Sequence, residues 1–143
     1  MSKLLYIVIV GCGRLGSLLA NKLSREGHSV VGIDIDEAAF QNLSEDFSGF
    51  TVPGDAARAA VLKQAKVDKA DIVIATTRDD NINLMVAQVA KRVYGVSRVI
   101  ARVYDPSREG IYGEFEVETF SPTVLGAART FELIGESLDP GEL

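Results

Sequence analysis

The feature that most constrains this chain is an apolar run from Leu4 to Val10 that ends directly on Gly11-Cys12-Gly13-Arg14-Leu15-Gly16. The run is strand-length and rich in β-branched residues, so it reads as a strand buried on both faces, as central strands of parallel sheets are. After it, Leu15, Leu18, Leu19 and Leu23 recur at helical spacing until Gly27. A G-x-G-x-x-G spacing alone is weak, but a buried strand before it and a helix start within it supply the required context. Gly11 permits the tight turn, Gly13 lets a pyrophosphate approach the backbone, and Gly16 lets the helix pack close to the sheet. The exposed N–H groups and the positive end of the helix dipole then favour an anion.

An acid at the end of the second strand completes the pattern. Asp34 follows Gly16 by 18 residues, near the expected separation of about 20. A carboxylate there accepts hydrogen bonds from ribose hydroxyls and repels a 2′-phosphate. The pattern therefore predicts NAD(H), or AMP, ADP or ATP, in preference to NADP. Asp36 reads instead as a cap or turn residue. Cys12 reads as a small residue at a variable position of the turn, although a helix N-terminus lowers the pKa of a reactive thiol. His28 precedes the second strand, on the side away from the strand ends where ligands bind, and is not expected to be catalytic.

The alternation continues along the chain. Strands are expected at 29–35, 49–52, 71–75, 98–103 and, weakly, 115–120. Helices are expected at 36–46, with Ala39, Phe40 and Leu43 inward, and at 56–65 on Val61 and Leu62. A further helix, capped by Thr77 or Asp79, presents Ile82, Met85, Val86, Val89 and Val93 as one stripe, and Gly95 closes it. Asp105-Pro106-Ser107 turns into a short helix through Tyr112. Ser121-Pro122 opens a last helix to Leu138, with Leu125, Ala128, Leu133 and Ile134 on its apolar side. Six strands with helical crossovers predict an α/β Rossmann-type, doubly wound parallel sheet. Residues 1–138 form one domain in this reading, 139–143 a tail, and no substrate domain fits.

Composition narrows the function. The net charge of −5 argues against nucleic-acid binding, which wants a basic surface. No apolar run approaches the roughly 20 residues of a membrane helix, and no signal peptide is expected at Met1-Ser2-Lys3. One cysteine excludes an intrachain disulfide and a thiolate zinc cluster. A nicotinamide oxidoreductase, or its isolated cofactor-binding domain, is the alternative. It needs a proton donor, yet Tyr94, Tyr104 and Tyr112 lack a lysine four residues later.

The glycine motif, Ile33-Asp34-Ile35-Asp36 and Gly54-Asp55-Ala56 together resemble the RCK/KTN (TrkA-N type) nucleotide-binding domain of Trk and Ktr potassium-uptake regulators. So do Ala70 to Thr77, Asp79 to Leu84 and Ala101 to Pro106, in the right order over Leu4 to Ile134. The resemblance implies a regulatory domain that senses NAD(H) or an adenine nucleotide, with no catalytic residue. Arg14 would reach the distal phosphates, Asp34 the ribose, and Asp55 and Ala56 the adenine. Thr76 and Thr77 would lie along the phosphates, and Arg102 near the far end of the ligand. All of these except Arg102 are expected at strand C-terminal ends. Arg14 could instead pair with acids of its own helix, Thr76, Thr77 and Asp55 could only cap helices, and Arg102 could serve an interface.

The last helix resembles the family's crossover helix, which implies a homodimer or a larger ring. The resemblance also implies a membrane potassium transporter as partner, and hence a cytoplasmic location at the inner face of the membrane. Such regulators usually continue into a C-terminal ligand domain, so a separate subunit of that type is a further expected partner. The acidic stretch Tyr112 to Phe120 departs from the family pattern and leaves the last strand in doubt.

Overall fold

Side chains of a strand alternate between two faces, and β1 (Tyr6–Val10) is apolar at every position, so both of its faces must be covered. Val8 and Val10 enter one core layer, and Ile7 and Ile9 the other. The computed structural model, which describes residues 3–136, places β1 within a six-stranded sheet. Its neighbours are β2 (Ser29–Asp34) and β4 (Ile72–Ala75), both parallel, in the registers Val8↔Val31 and Val8↔Val73. Outward from these lie β3 (Phe50–Pro53), β5 (Arg98–Arg102) and β6 (Glu118–Phe120), giving the order β3-β2-β1-β4-β5-β6. Every pairing is parallel. This is the doubly wound order, and it reverses between β1 and β4, where a crevice opens at the strand C-termini.

The crossovers supply the two covering layers. Helix α1 (Arg14–Arg25) buries Ala20 over Ile7, Ile9, Val30 and Ile74, with Leu19 and Leu23 against the same cluster. The opposite layer holds α2 (Ala59–Gln64), α3 (Asp80–Arg92) and α4 (Glu109–Gly113). It buries Leu62, Val86, Ala87, Ala90 and Tyr112 against Val8, Val31, Val73 and Val99. Helix α5 (Pro122–Ile134) follows β6, capped by Ser121.

Several elements differ from expectation, each for a local reason. The helix expected over 36–46 is a 3₁₀ turn, Glu37–Asn42, that buries none of its residues, and only Leu43 reaches the core cluster. The helix expected from Ala56 starts at Ala59, because Asp55 first closes a turn with its carboxylate on Ala57 N–H and its carbonyl on Arg58 N–H. The last strand shortens to three residues, since Glu116 adopts a left-handed conformation at φ 57°. Helix α5 ends at Ile134, not Leu138, because Gly135 takes φ 101° and terminates it. The expected tail over 139–143 lies outside the described residues.

Candidate functional site

The glycine corner builds the floor of the site. Gly11 has φ 101°, which suits glycine, and its N–H donates to the Ile33 carbonyl at 2.8 Å. Helix α1 then begins with Gly13 as N-cap, without a side-chain cap and without an acid in its first turn. The N–H groups of Arg14, Leu15 and Gly16 therefore have no helical acceptor. A Cβ on Gly13 would meet nothing within 4 Å, so this glycine borders open space. A Cβ on Gly16 would sit 1.8 Å from the Gly11 carbonyl oxygen and 2.8 Å from Thr76 Oγ1. The motif thus divides: Gly13 leaves room for a ligand, and Gly16 leaves room for the corner itself.

Asp34 is tied to that corner. Its Oδ2 accepts from Cys12 N–H and its Oδ1 from Asp36 N–H, both at 2.8 Å. These bonds fix the carboxylate at the rim of the cleft while leaving each oxygen a further lone pair. The link from Cys12 to Asp34 escaped the sequence reading, because a backbone N–H carries no residue signature. Cys12 itself is fully buried, and a Cβ on Gly32 would lie 2.7 Å from its sulfur. Burial, and secondarily the Asp34 carboxylate, push its thiol up to about 12. The lowered pKa of a helix N-terminus is overridden, and this is a packing residue.

The other end of the cleft is assembled by β4, β5 and α3. Thr76 Oγ1 donates to the carbonyls of Val10 and Gly11, at 3.2 and 3.0 Å, joining the end of β4 to the glycine corner. Asp79 caps α3, accepting from Asn81 and Ile82 N–H. Thr77 does not cap that helix but bonds to Asn83, with its N–H and hydroxyl donating to Asn83 Oδ1 at 3.0 and 2.7 Å. Arg102 is the last residue of β5 and so does lie at a strand C-terminal end, contrary to the sequence reading, which ran that strand to Val103. Its guanidinium carbon lies 5.5 Å from the Tyr104 ring centre. Its Nε is buried and has no hydrogen-bond partner among the described residues.

These residues line one cleft of about 1060 Å³ across the strand ends. Gly11, Gly13, Arg14, Leu15, Asp34, Asp55, Ala56, Thr76, Thr77 and Arg102 all border it, and Gly16 lies beneath. Arg78 and the apolar Ile82, Phe120 and Leu125 also line it. Their alternation between core and surface gave no sign of this. Arg14 forms no ion pair among the described residues, which removes the acid-pairing reading of it. Asp36 does cap its turn, accepting from Ala38 N–H, whereas Asp55 bonds Ala57 N–H in the turn ahead of α2, whose N-cap is Arg58. His28 lies at the opposite end of the sheet, where its Nδ1 accepts from Leu5 N–H at 3.0 Å. Among the described residues no cluster of His, Cys, Asp or Glu could hold a metal, and no helix is long and apolar enough to cross a membrane.

A parallel sheet in this order, with a bare helix N-terminus and an acid-tipped second strand at its switch point, defines a Rossmann-type nucleotide-binding fold. The family model for the TrkA-N domain matches residues 7–121, and the chain belongs to that family. It is 39% identical over 115 residues to the Trk system potassium uptake protein TrkA of Streptomyces coelicolor, covering 80% of this chain and 52% of that protein. It spans about half the length of the curated relatives it matches. The GsuK RCK domain superposes with a TM-score of 0.69 at 26% identity, over 81% of this chain and 25% of that one. The Kef CTD of Shewanella denitrificans, solved in an AMP-bound form, shares the fold with a TM-score of 0.74 at 23% identity, over 92% of this chain and 83% of that one.

Proposed function

We infer that this domain is the nucleotide-sensing part of a potassium-uptake regulator, binding NAD(H) or an adenine nucleotide without turning it over. One observation carries the reading: residues from the ends of β1, β2, β4 and β5 and from the turn after β3 converge on a single cleft whose floor is a bare helix N-terminus. The residues fit such a ligand. Phosphate oxygens have the N–H groups of the first α1 turn and the space beside Gly13. Ribose hydroxyls have Asp34, and the adenine has the Gly54–Ala56 edge. Arg14, Arg78 and Arg102 offer positive charge to whatever extends beyond the first phosphate.

TrkA relatives are potassium-uptake proteins, so the partner we infer is a membrane potassium transporter, with the domain held at the inner face of the membrane. Binding shifts such a partner only if ligands differ in affinity for the states they select. The arginines provide that difference, because NAD(H), AMP and ATP place different charge near them. Isothermal titration of nucleotide-stripped protein with NAD⁺, NADH, AMP, ADP, ATP and NADP⁺ tests the reading. Stoichiometric binding of adenine nucleotides with rejection of NADP⁺ is expected. No heat from any of them would remove the ligand assignment and leave only the fold.

A further inference from the structure

Asn83 touches no open space, yet it bonds to both walls of the far half of the cleft. It is fully buried on the inner face of α3. Its Oδ1 accepts from the N–H and hydroxyl of Thr77, and its Nδ2 donates to the Thr77 carbonyl at 3.0 Å and the Arg102 carbonyl at 3.1 Å. The amide thereby uses two donors and two acceptor positions, its full capacity. One helical turn earlier, Asp80 accepts from the N–H groups of Tyr104 and Asp105 at 2.6 and 2.9 Å. Tyr104 carries the ring beside the Arg102 guanidinium. The backbone that follows the Arg102 side chain is thus pinned from α3.

We propose that Asn83 is a positioning residue that sets the preference of the cleft for ligands with distal negative charge, by holding the end of β5 so that Arg102 faces the cleft. This rests on the nucleotide-binding reading above. The strand order supplies the reason for a distal role. The glycine corner follows β1, Thr77 follows β4, and Arg102 ends β5. Adjacent strands are about 4.8 Å apart, so Arg102 sits roughly 10 Å from the first phosphate site. A monophosphate on the glycine corner ends short of it, and a longer phosphate chain extends toward it. Arg102 lines the cleft at that distance, and its buried Nε has no partner among the described residues.

Titration of nucleotide-stripped wild type, Asn83→Ser, Arg102→Ala and the double variant with AMP and with ATP tests this. In Asn83→Ser we expect ATP affinity to fall about tenfold more than AMP affinity, a coupling usual within one hydrogen-bond network. In the Arg102→Ala background the same change leaves the ATP-to-AMP ratio unaltered, because the group it positions is gone. Equal losses for AMP and ATP, or an undiminished effect without Arg102, would overturn the proposal while leaving the site intact. Wild type that binds neither nucleotide overturns the site and this inference with it. Should Asn83→Ser lose its cooperative melt, the side-chain amide resonances of Asn83 in wild type decide: a shift with ATP but not AMP supports the role, and equal shifts with both refute it.

Discussion

At the scale of single residues, the second and third glycines of the motif separate binding from folding. Gly13 has ordinary negative φ and open space where a Cβ would go, whereas a Cβ at Gly16 collides with the Gly11 carbonyl. Gly13→Ala should melt within a few degrees of wild type and lose adenine-nucleotide affinity by about tenfold or more, because the methyl occupies the phosphate approach. Gly16→Ala should lose about 1–3 kcal/mol of stability or more, as overpacking against backbone does. Chemical denaturation alongside titration separates the two, and equal melting of both variants would contradict the division. Cys12 makes a pH prediction. Its folded thiol is pushed up to about 12 by burial and Asp34, while an unfolded thiol titrates near 8.5. Between those values the unfolded chain has released a proton that the folded chain retains, so stability falls as pH rises through that window, by at most about 1.4 kcal/mol per pH unit from this group. Tyr112, pushed up to about 12 by burial and the Asp80 carboxylate, and Tyr6, raised by burial and Asp68, act in the same direction at higher pH. Denaturation midpoints from pH 8 to 11 should therefore decline, less steeply in Cys12→Ala; a flat profile in wild type would refute the buried-thiol account.

At the scale of elements, the start of α3 depends on a carboxylate cap, unlike that of α1. Asp79 carries two N–H groups of the first turn of α3, the helix that holds Asn83. Asp79→Ala should cost about 1 kcal/mol in urea titration, and a change within error would show that water replaces the cap without loss. Elements whose patterns repeat were legible in the sequence: the uninterrupted apolar run of β1, the leucines of α1, and the stripe of α3. What could not be read was set by short-range geometry or by distant partners. Residues 36–46 carry four apolar residues and a capping acid, which suits either a short helix or a 3₁₀ turn, and the turn that forms buries none of its residues. Most of the cleft was legible because its residues occupy fixed places after parallel strands. Asn83 was not, since a polar residue inside a helical stripe reads as surface until the neighbouring strand end is seen to need its hydrogen bonds, and Arg78, in the loop before α3, carried no motif.

At the scale of the whole molecule, α5 is the element the single chain leaves unfinished. It buries Ala128 alone, and Leu125, Leu133 and Ile134 are 55%, 70% and 68% exposed. Apolar side chains clustered on one helix of a small domain are a surface that another surface covers. We therefore expect a homodimer through α5. Leu133→Asp should dissociate it in sedimentation equilibrium, while leaving the fold intact, because Leu133 packs little within its own chain. Leu125 belongs both to this exposed set and to the cleft wall, so occupancy of the cleft and association of two chains share a residue. Linkage then requires reciprocity: if nucleotide changes the dimer dissociation constant, dimerisation changes nucleotide affinity by the same factor. The measurement is the dimer dissociation constant without nucleotide, with AMP and with ATP at saturation. We expect ATP and AMP to give different values, since only the longer phosphate chain extends toward Arg102, on the neighbouring strand to β6 and α5. A chain that stays monomeric throughout, or one constant shared by all three conditions, would separate the cleft from the interface and leave the domain with no route for passing on what it binds.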